Sequence, residues 1–216
     1  MNAPRILVVI GTPLAGTLNH ALAHSYADAA RTGGAEVRVV DLADDAVPRH
    51  PSQRDEVRLP RTEADAPLSP EVAAYVADVE WADHLVFFFP QWWGSYPGAL
   101  KTWIDRVFLS GFAYRYRPTG RLWDKLLTGR TARIVMTMDS PTFWNAWAYR
   151  NAAIRSLRNA TLEYCGITVR GVTRLSGVRH RTDADRERWV AGMASFGATD
   201  AQSVTPRTRE ELVAAG

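Results

Sequence analysis

Three short stretches carry the residues best suited to chemistry. "GTPLAGTLN" (11–19) places the hydroxyls of Thr12 and Thr17 and the carboxamide of Asn19 just ahead of a helical pattern. Free N–H groups and the helix dipole favour an anion at such a place. Gly11 and Gly16 have the spacing of a nucleotide-binding glycine loop, but Thr17 stands where its lysine is required, so nucleoside-triphosphate hydrolysis lacks its clamp. A plain strand–helix turn with Thr17 as N-cap fits the same residues. "PQWWGS" (90–95) follows an apolar run and precedes Pro97, which the pattern puts at the first position of a helix. Irregular backbone here needs hydrogen-bond partners, and the polar edge of a flat heteroaromatic ring would supply them. Trp92 and Trp93 would then wall that ring, one by contact and one as packing beneath the loop. "TMDSP" (137–141) offers Thr137, Asp139 and Ser140 to a ring edge or a sugar chain, with Asp139 equally suited to capping a helix.

Other chemistries lack their residues. No His/Cys cluster has zinc spacing, and the G-x-S-x-G elbow of hydrolases is missing. His20 and His24 lie one helical turn apart without a third ligand, which favours packing or solvated roles. Cys165 is the single cysteine, so no intramolecular disulfide can form. Its apolar context predicts a small buried hydrophobe. A phosphate cradle beside an aromatic slot, without nucleophile, base or metal, suits a bound cofactor that does the chemistry itself.

Alternating elements position these loops. β-Branched or apolar runs at "RILVVI", "AEVRVVDL", "ADHLVFFFP", "TARIVMTMD" and "TVRGVTRLS" read as five strands. Helical patterns at 17–31, 69–82, 97–108, 151–166 and 183–198 fill the gaps. This alternation predicts an α/β fold, a three-layer α/β/α sandwich on a parallel sheet of order 2-1-3-4-5, in which ligands bind beyond the carboxyl ends of the strands. The whole chain, 1–216, reads as one domain, with 43–68 a long polar, proline-rich insertion.

With 216 residues, 46% of them hydrophobic and 23% charged, the chain has an ordinary globular composition. A formal charge of +3, from 26 basic and 23 acidic residues, is too small and too dispersed to imply nucleic acid. The one basic cluster, 115–133, reads as a solvated loop and helix face. No run has the length of a membrane span, and the apolar run at 6–10 is too short for an export signal, so a cytoplasmic protein is expected.

The motifs "ILVVIGTP..GTLN", "LSPEV...E.AD.LVFFFP.WW.S.PG.LK.WIDRVF..GFAY.Y", "TMDSP" and "LE.CGI" cover nearly the whole chain. They resemble the flavodoxin-like NAD(P)H:quinone oxidoreductases and their bacterial relatives, some of which accompany potassium-efflux systems. The resemblance implies a flavin, FAD or FMN, with NAD(P)H as co-substrate and a quinone or similar aromatic acceptor. It implies that Thr12, Thr17, Leu18 and Asn19 hold phosphate, that Pro90, Gln91, Trp92, Trp93 and Gly94 lie along the isoalloxazine ring, and that Thr137, Met138, Asp139 and Ser140 complete the site. It also implies a homodimer with shared active sites, in which Tyr114 and Tyr116 of "GFAYRY" reach the partner's slot. Two departures stand out: Thr12 replaces the family's usual histidine, and "PTFWNAWAYRNA" has no histidine after the third loop, leaving Tyr149 as the candidate for a catalytic tyrosine. A flavin-binding electron carrier and a regulatory subunit of a membrane transporter are the competing expectations.

Overall fold

The computed structural model describes residues 3–208; the ends of the expected 1–216 domain, and any part of it before 3 or after 208, lie outside the described residues. In chain order the elements are β1 (Arg5–Ile10), α1 (Leu18–Thr32), β2 (Glu36–Asp41), α2 (Pro70–Trp81), β3 (His84–Pro90), α3 (Gly98–Val107), β4 (Tyr114–Tyr116), β5 (Trp123–Lys125), β6 (Thr131–Met138), α4 (Thr142–Trp147), α5 (Ala152–Leu157), α6 (Glu163–Cys165), β7 (Thr168–Ser176) and α7 (Asp183–Ser203). The parallel sheet has the order β2-β1-β3-β6-β7, which is the predicted 2-1-3-4-5 once the small β4–β5 hairpin is set aside.

Alternation along the strands sorts side chains onto two faces. Ile6, Val8, Ile10, Val86 and Phe88 face α1 and α7. Leu7, Val9, Leu85, Phe87, Phe89, Ile134 and Met136 face the other layer, around the fully buried Trp103 of α3. The run "FFF" is therefore a strand buried on both sides. α1 and α7 approach so closely at Gly197 that a Cβ there would stand 2.2 Å from the Tyr26 carbonyl oxygen.

Four expectations need correction. Pro97 caps α3 from outside, with Gly98 the first helical residue. α7 continues to Ser203, five residues past its polar–apolar pattern. In the 115–133 stretch Arg115, Arg117, Arg121 and Lys125 are exposed as expected, but no helix forms: the stretch carries the β4–β5 hairpin, and Arg130 and Arg133 turn inward. The 43–68 insertion is pinned rather than irregular throughout. It holds a 3-10 turn at Arg54–Val57, Glu56 takes the buried Arg106 at 2.9 Å, and Leu59 N–H donates to the Ser110 carbonyl.

A buried polar cluster joins the sheet to α7. Asp200 accepts from Arg133 Nε and Nη2 (2.7 and 2.8 Å) and from the Tyr26 hydroxyl (2.8 Å). His84, fully buried, pairs with Thr131 Oγ1 at 2.7 Å through Nδ1, and its Nε2 lies 3.4 Å from Asp200. Burial pushes the His84 imidazolium down despite Asp200. Burial would push the Asp200 carboxyl up, but the paired bonds from Arg133, with the nearby His84 ring, outweigh it and hold it well below the usual range. Both groups thus bind protons more readily unfolded, so their stabilisation is present at neutral pH and is lost as pH falls. The His84 part begins to go below its ordinary value of about 6.5. Thermal melts are expected to show Tm falling between about pH 7 and 5, with a shallower slope in His84→Gln; identical slopes would remove His84 from this role.

Candidate functional site

β1, β3 and β6 end side by side, because Ile10 is paired with Phe88 and Pro90 with Thr137. Their exit loops are cross-linked. Asn19 Nδ2 donates to Thr137 Oγ1 at 3.1 Å, and Gln91 N–H donates to the Thr137 carbonyl at 2.7 Å. The three predicted loops thus meet at the carboxyl edge of the sheet.

The first loop forms the expected turn and cap, but its side chains divide. Thr12 is fully buried and its hydroxyl accepts the Leu14 N–H at 3.3 Å, while Asn19 is buried against Thr137. These two brace the loop. Thr17 caps α1, and His20 returns the bond, its Nδ1 accepting the Thr17 N–H at 3.2 Å, while its Nε2 meets Asp41. His20 is thereby a structural cap, in keeping with its packing reading. Leu18 and Asn19 N–H groups stand in the first turn, ahead of any intrahelical acceptor. Gly16, at φ 67°, leaves open space where a Cβ would sit. No carboxylate lies between 11 and 19.

The second loop is a two-residue turn. Trp92 and Ser95 exchange both backbone bonds at 2.9 Å, and the central Trp93 and Gly94 have φ of 51° and 75°. Positive φ at both central positions defines a type I′ turn. Gly94 suits it; Trp93 does not, since a left-handed conformation costs a residue with a side chain about 1–2 kcal/mol. The turn presents Trp93 fully to solvent, at 104% relative exposure, and Trp92 at 38%. Trp93 thus buries nothing in the free chain, whereas Trp92 is more than half buried.

The third loop is held from the far side. Met138 and Thr137 are buried; Asp139 takes the Arg179 N–H at 2.7 Å and the Ser140 carbonyl takes the Ser176 hydroxyl at 2.8 Å. Asp139 does not cap α4: Pro141 occupies that position. Instead it ties the exits of β6 and β7 together.

Beyond it lies a hub that sequence reasoning missed. Asn145, fully buried in α4, accepts Gln91 Nε2 at 2.6 Å and donates to Asn151 Oδ1 at 2.9 Å, and its carbonyl takes the Asn151 N–H at 2.9 Å. Tyr149 follows, its ring 3.5 Å from where a Cβ on Gly94 would sit. Phe143, Trp144 and Trp147 of α4 are exposed, the rings of Trp144 and Trp147 5.9 Å apart. The only advance signal was Asn151, a residue type that tolerates left-handed backbone.

Tyr114 and Tyr116 lie on β4, ring centroids 5.4 Å apart; Tyr114 also meets Tyr164, which stacks on Trp123 at 4.2 Å. Among the described residues no ring pair joins them to Trp92, Trp93 or Tyr149. They line a cavity of about 430 Å³ that Cys165 also borders. Burial, opposed by Lys125, pushes the Cys165 thiol up to about 12. With so little thiolate, Cys165 is expected to react with a maleimide at pH 8 only in denaturant; rapid labelling of the native protein would contradict its burial.

The comparisons agree with this architecture. The chain is 26% identical to NAD(P)H dehydrogenase [quinone] 1 of Cavia porcellus, over 87% of this chain and 74% of that protein. It is 32% identical to an FMN-dependent NADH:quinone oxidoreductase of Alcanivorax borkumensis, over 52% and 62% respectively. Another relative, of Penicillium crustosum, is spanned over only 57% of its length. The crystal structure of Smu.1420 from Streptococcus mutans superposes with a TM-score of 0.70 at 28% identity, covering 90% of this chain and 99% of that one. No helix among the described residues is long and apolar enough to cross a membrane. The model of the flavodoxin-like fold matches residues 4–195; the same span contains the five-stranded sheet, its order and the three joined exit loops, and the chain belongs to that family.

Proposed function

We propose that the protein is a flavin-dependent NAD(P)H oxidoreductase acting on quinones or similar flat aromatic acceptors. One observation carries the reading: a carboxylate-free amide cradle and a strained turn presenting a bare indole are braced into the same crevice. The residues present fit the group. The Leu18 and Asn19 amides, the Thr17 hydroxyl and the open space at Gly16 suit the phosphate of an FMN moiety, alone or within FAD. The backbone of Gln91 to Gly94 suits the polar ring edge.

When bound, the flavin supplies the redox chemistry, accepting a hydride from reduced nicotinamide and passing two electrons to the acceptor. The chain's part is to bind, orient and exclude water. Trp93 and the exposed rings of α4 give flat ligands a stacking surface without demanding a polar pattern, so a broad acceptor range follows. Tyr149, whose ring lies over Gly94 of the turn, serves as the candidate proton donor. The relatives' printed activities, quinone dehydrogenase and FMN-dependent quinone oxidoreductase, support this assignment.

The assembly is a cytoplasmic homodimer in this proposal. Tyr116, 64% exposed on its hairpin, is then free to enter the partner's slot. The test is NADPH oxidation with and without menadione, on protein stripped of flavin and then reloaded with FMN or FAD. Turnover that requires flavin and quinone together supports the proposal; turnover indifferent to flavin removal overturns it.

A further inference from the structure

Among the described residues three non-glycine positions have positive φ: Trp93 at 51°, Arg150 at 51° and Asn151 at 52°. All three lie around the Gln91–Asn145–Asn151 hub. Left-handed backbone at such residues persists only where the surroundings over-determine it, and it concentrates at ligand sites. The strain at Trp93 serves the turn; that at Arg150 and Asn151 swings the chain out of α4 into α5. The consequence is a cavity of about 570 Å³ on the flank of Tyr149, lined by Arg150, Arg155, Ser156 and Asn159 among small residues.

Its electrostatics are one-sided. No carboxylate lines it. The next cation along, Arg158, is matched by Glu163 at 2.8 Å, whereas Arg150 and Arg155 have no carboxylate partner among the described residues. Arg150 and Arg155 are exposed, yet both border a concavity walled by an aromatic ring. Guanidinium groups bind oxyanions in a two-pronged manner, and the Asn159 carboxamide adds a neutral donor, while the Ser156 hydroxyl pairs with the Tyr96 hydroxyl at 3.0 Å. Tyr149 is shared: it borders the cavity and packs over Gly94 of the type I′ turn. The cavity therefore adjoins the crevice across one ring.

We infer that this cavity is an anion subsite of the redox slot, in which Arg150 and Arg155 hold an acidic group carried by a flat ligand lying along Tyr149. The inference rests on the oxidoreductase reading of the adjoining crevice. Two ligands carry that chemistry: the reduced nicotinamide nucleotide, through the 2′-phosphate that separates NADPH from NADH, and an acceptor bearing a sulfonate or carboxylate. Arg150 and Arg155 are specificity-determining residues in either case.

The experiment compares the holoenzyme with Arg150→Gln/Arg155→Gln, and with Arg150→Gly/Arg155→Gln, which removes the same cations while relieving the backbone at 150. One arm uses menadione with NADPH or NADH; the other uses NADH with menadione or 1,2-naphthoquinone-4-sulfonate. In one arm the ratio of kcat/KM for the more anionic ligand over the less anionic one is expected to fall about tenfold, through KM. The arm in which it falls identifies the ligand. Both ratios within about twofold of the parent overturn the subsite. A binding arm separates this result from failure of the oxidoreductase reading. Fluorescence titration of flavin-free protein with 2-naphthalenesulfonate is expected to show Kd raised about tenfold in both double variants, and an unchanged Kd overturns the subsite even if no turnover exists.

Discussion

Trp93→Gly is expected to leave the protein at least as stable as the parent while losing about 30-fold in quinone turnover or flavin affinity. Stability is indifferent to the indole because it is fully exposed and buries nothing in the free chain. It even improves, because glycine adopts φ 51° without the penalty that tryptophan bears. Function depends on the indole because a buried aromatic anchor in a ligand slot contributes about 2 kcal/mol or more, roughly 30-fold in an equilibrium constant. The control is Trp189→Ala. Trp189 packs on the α1–α7 side of the core, with Arg181 5.4 Å above its ring. Its loss should lower Tm with little effect on turnover. Opposite signs for stability and activity at position 93 are the signature, read from paired melting curves and steady-state rates. A loss of both at 93 would make Trp93 a packing residue.

Asn145→Leu is expected to be the most damaging substitution in the crevice. The side chains are close in size, so the change deletes hydrogen bonds rather than volume. Gln91 Nε2 and Asn151 Oδ1, on half-buried side chains, then lose their fully buried partner. Leaving buried polar groups unsatisfied costs about 1–3 kcal/mol each, so a destabilisation of about 2–4 kcal/mol follows. The α4–α5 corner loses the bonds that hold Asn151 in its left-handed conformation, and Tyr149 loses its seat over Gly94. Turnover should fall at least about tenfold even at temperatures where the variant is folded. Denaturant titration with kcat measured separately distinguishes the two effects. Full activity in the folded variant would show that the two loops keep their places without the hub.

The sheet was legible in the residues because β1, β3 and β6 are apolar on both faces. "RILVVI", "HLVFFFP" and "TARIVMTM" announce their burial, and the alternating elements imply a parallel sheet whose simplest five-strand order is the one observed. The three exit loops were legible for the same reason, since each begins where such a run ends. Other features left weaker traces. The β4–β5 hairpin has strands of three residues, "YRY" and "WDK", too short for a period to show. Arg130 and Arg133 carry the composition of a solvated surface, and only tertiary partners bring them inside. Arg130, with burial pushing its guanidinium down to about 10, is held by the Glu80 carbonyl at 3.0 Å.

The candidate site divided along a physical line. Backbone-borne features were readable: a turn and cap at the head of α1, a turn after Pro90. Side-chain roles were not, because Thr12 and Asn19 have the chemistry to face a ligand and equally to brace a loop. The structure places both inside. The hub escaped because an asparagine in "FWNAW" is indistinguishable from a solvent-facing one until Gln91 is brought to it across 54 residues.

The measurement closest to the central claim is the visible absorption spectrum of the purified protein, recorded without oxygen before and after NADPH is added. The account predicts an oxidised flavin band that bleaches within the dead time of manual mixing and returns when menadione follows. A flavin band that stays oxidised would contradict the reductase and favour a carrier or regulatory subunit. No flavin band, even after incubation with FMN and FAD, would contradict the assignment of all three loops.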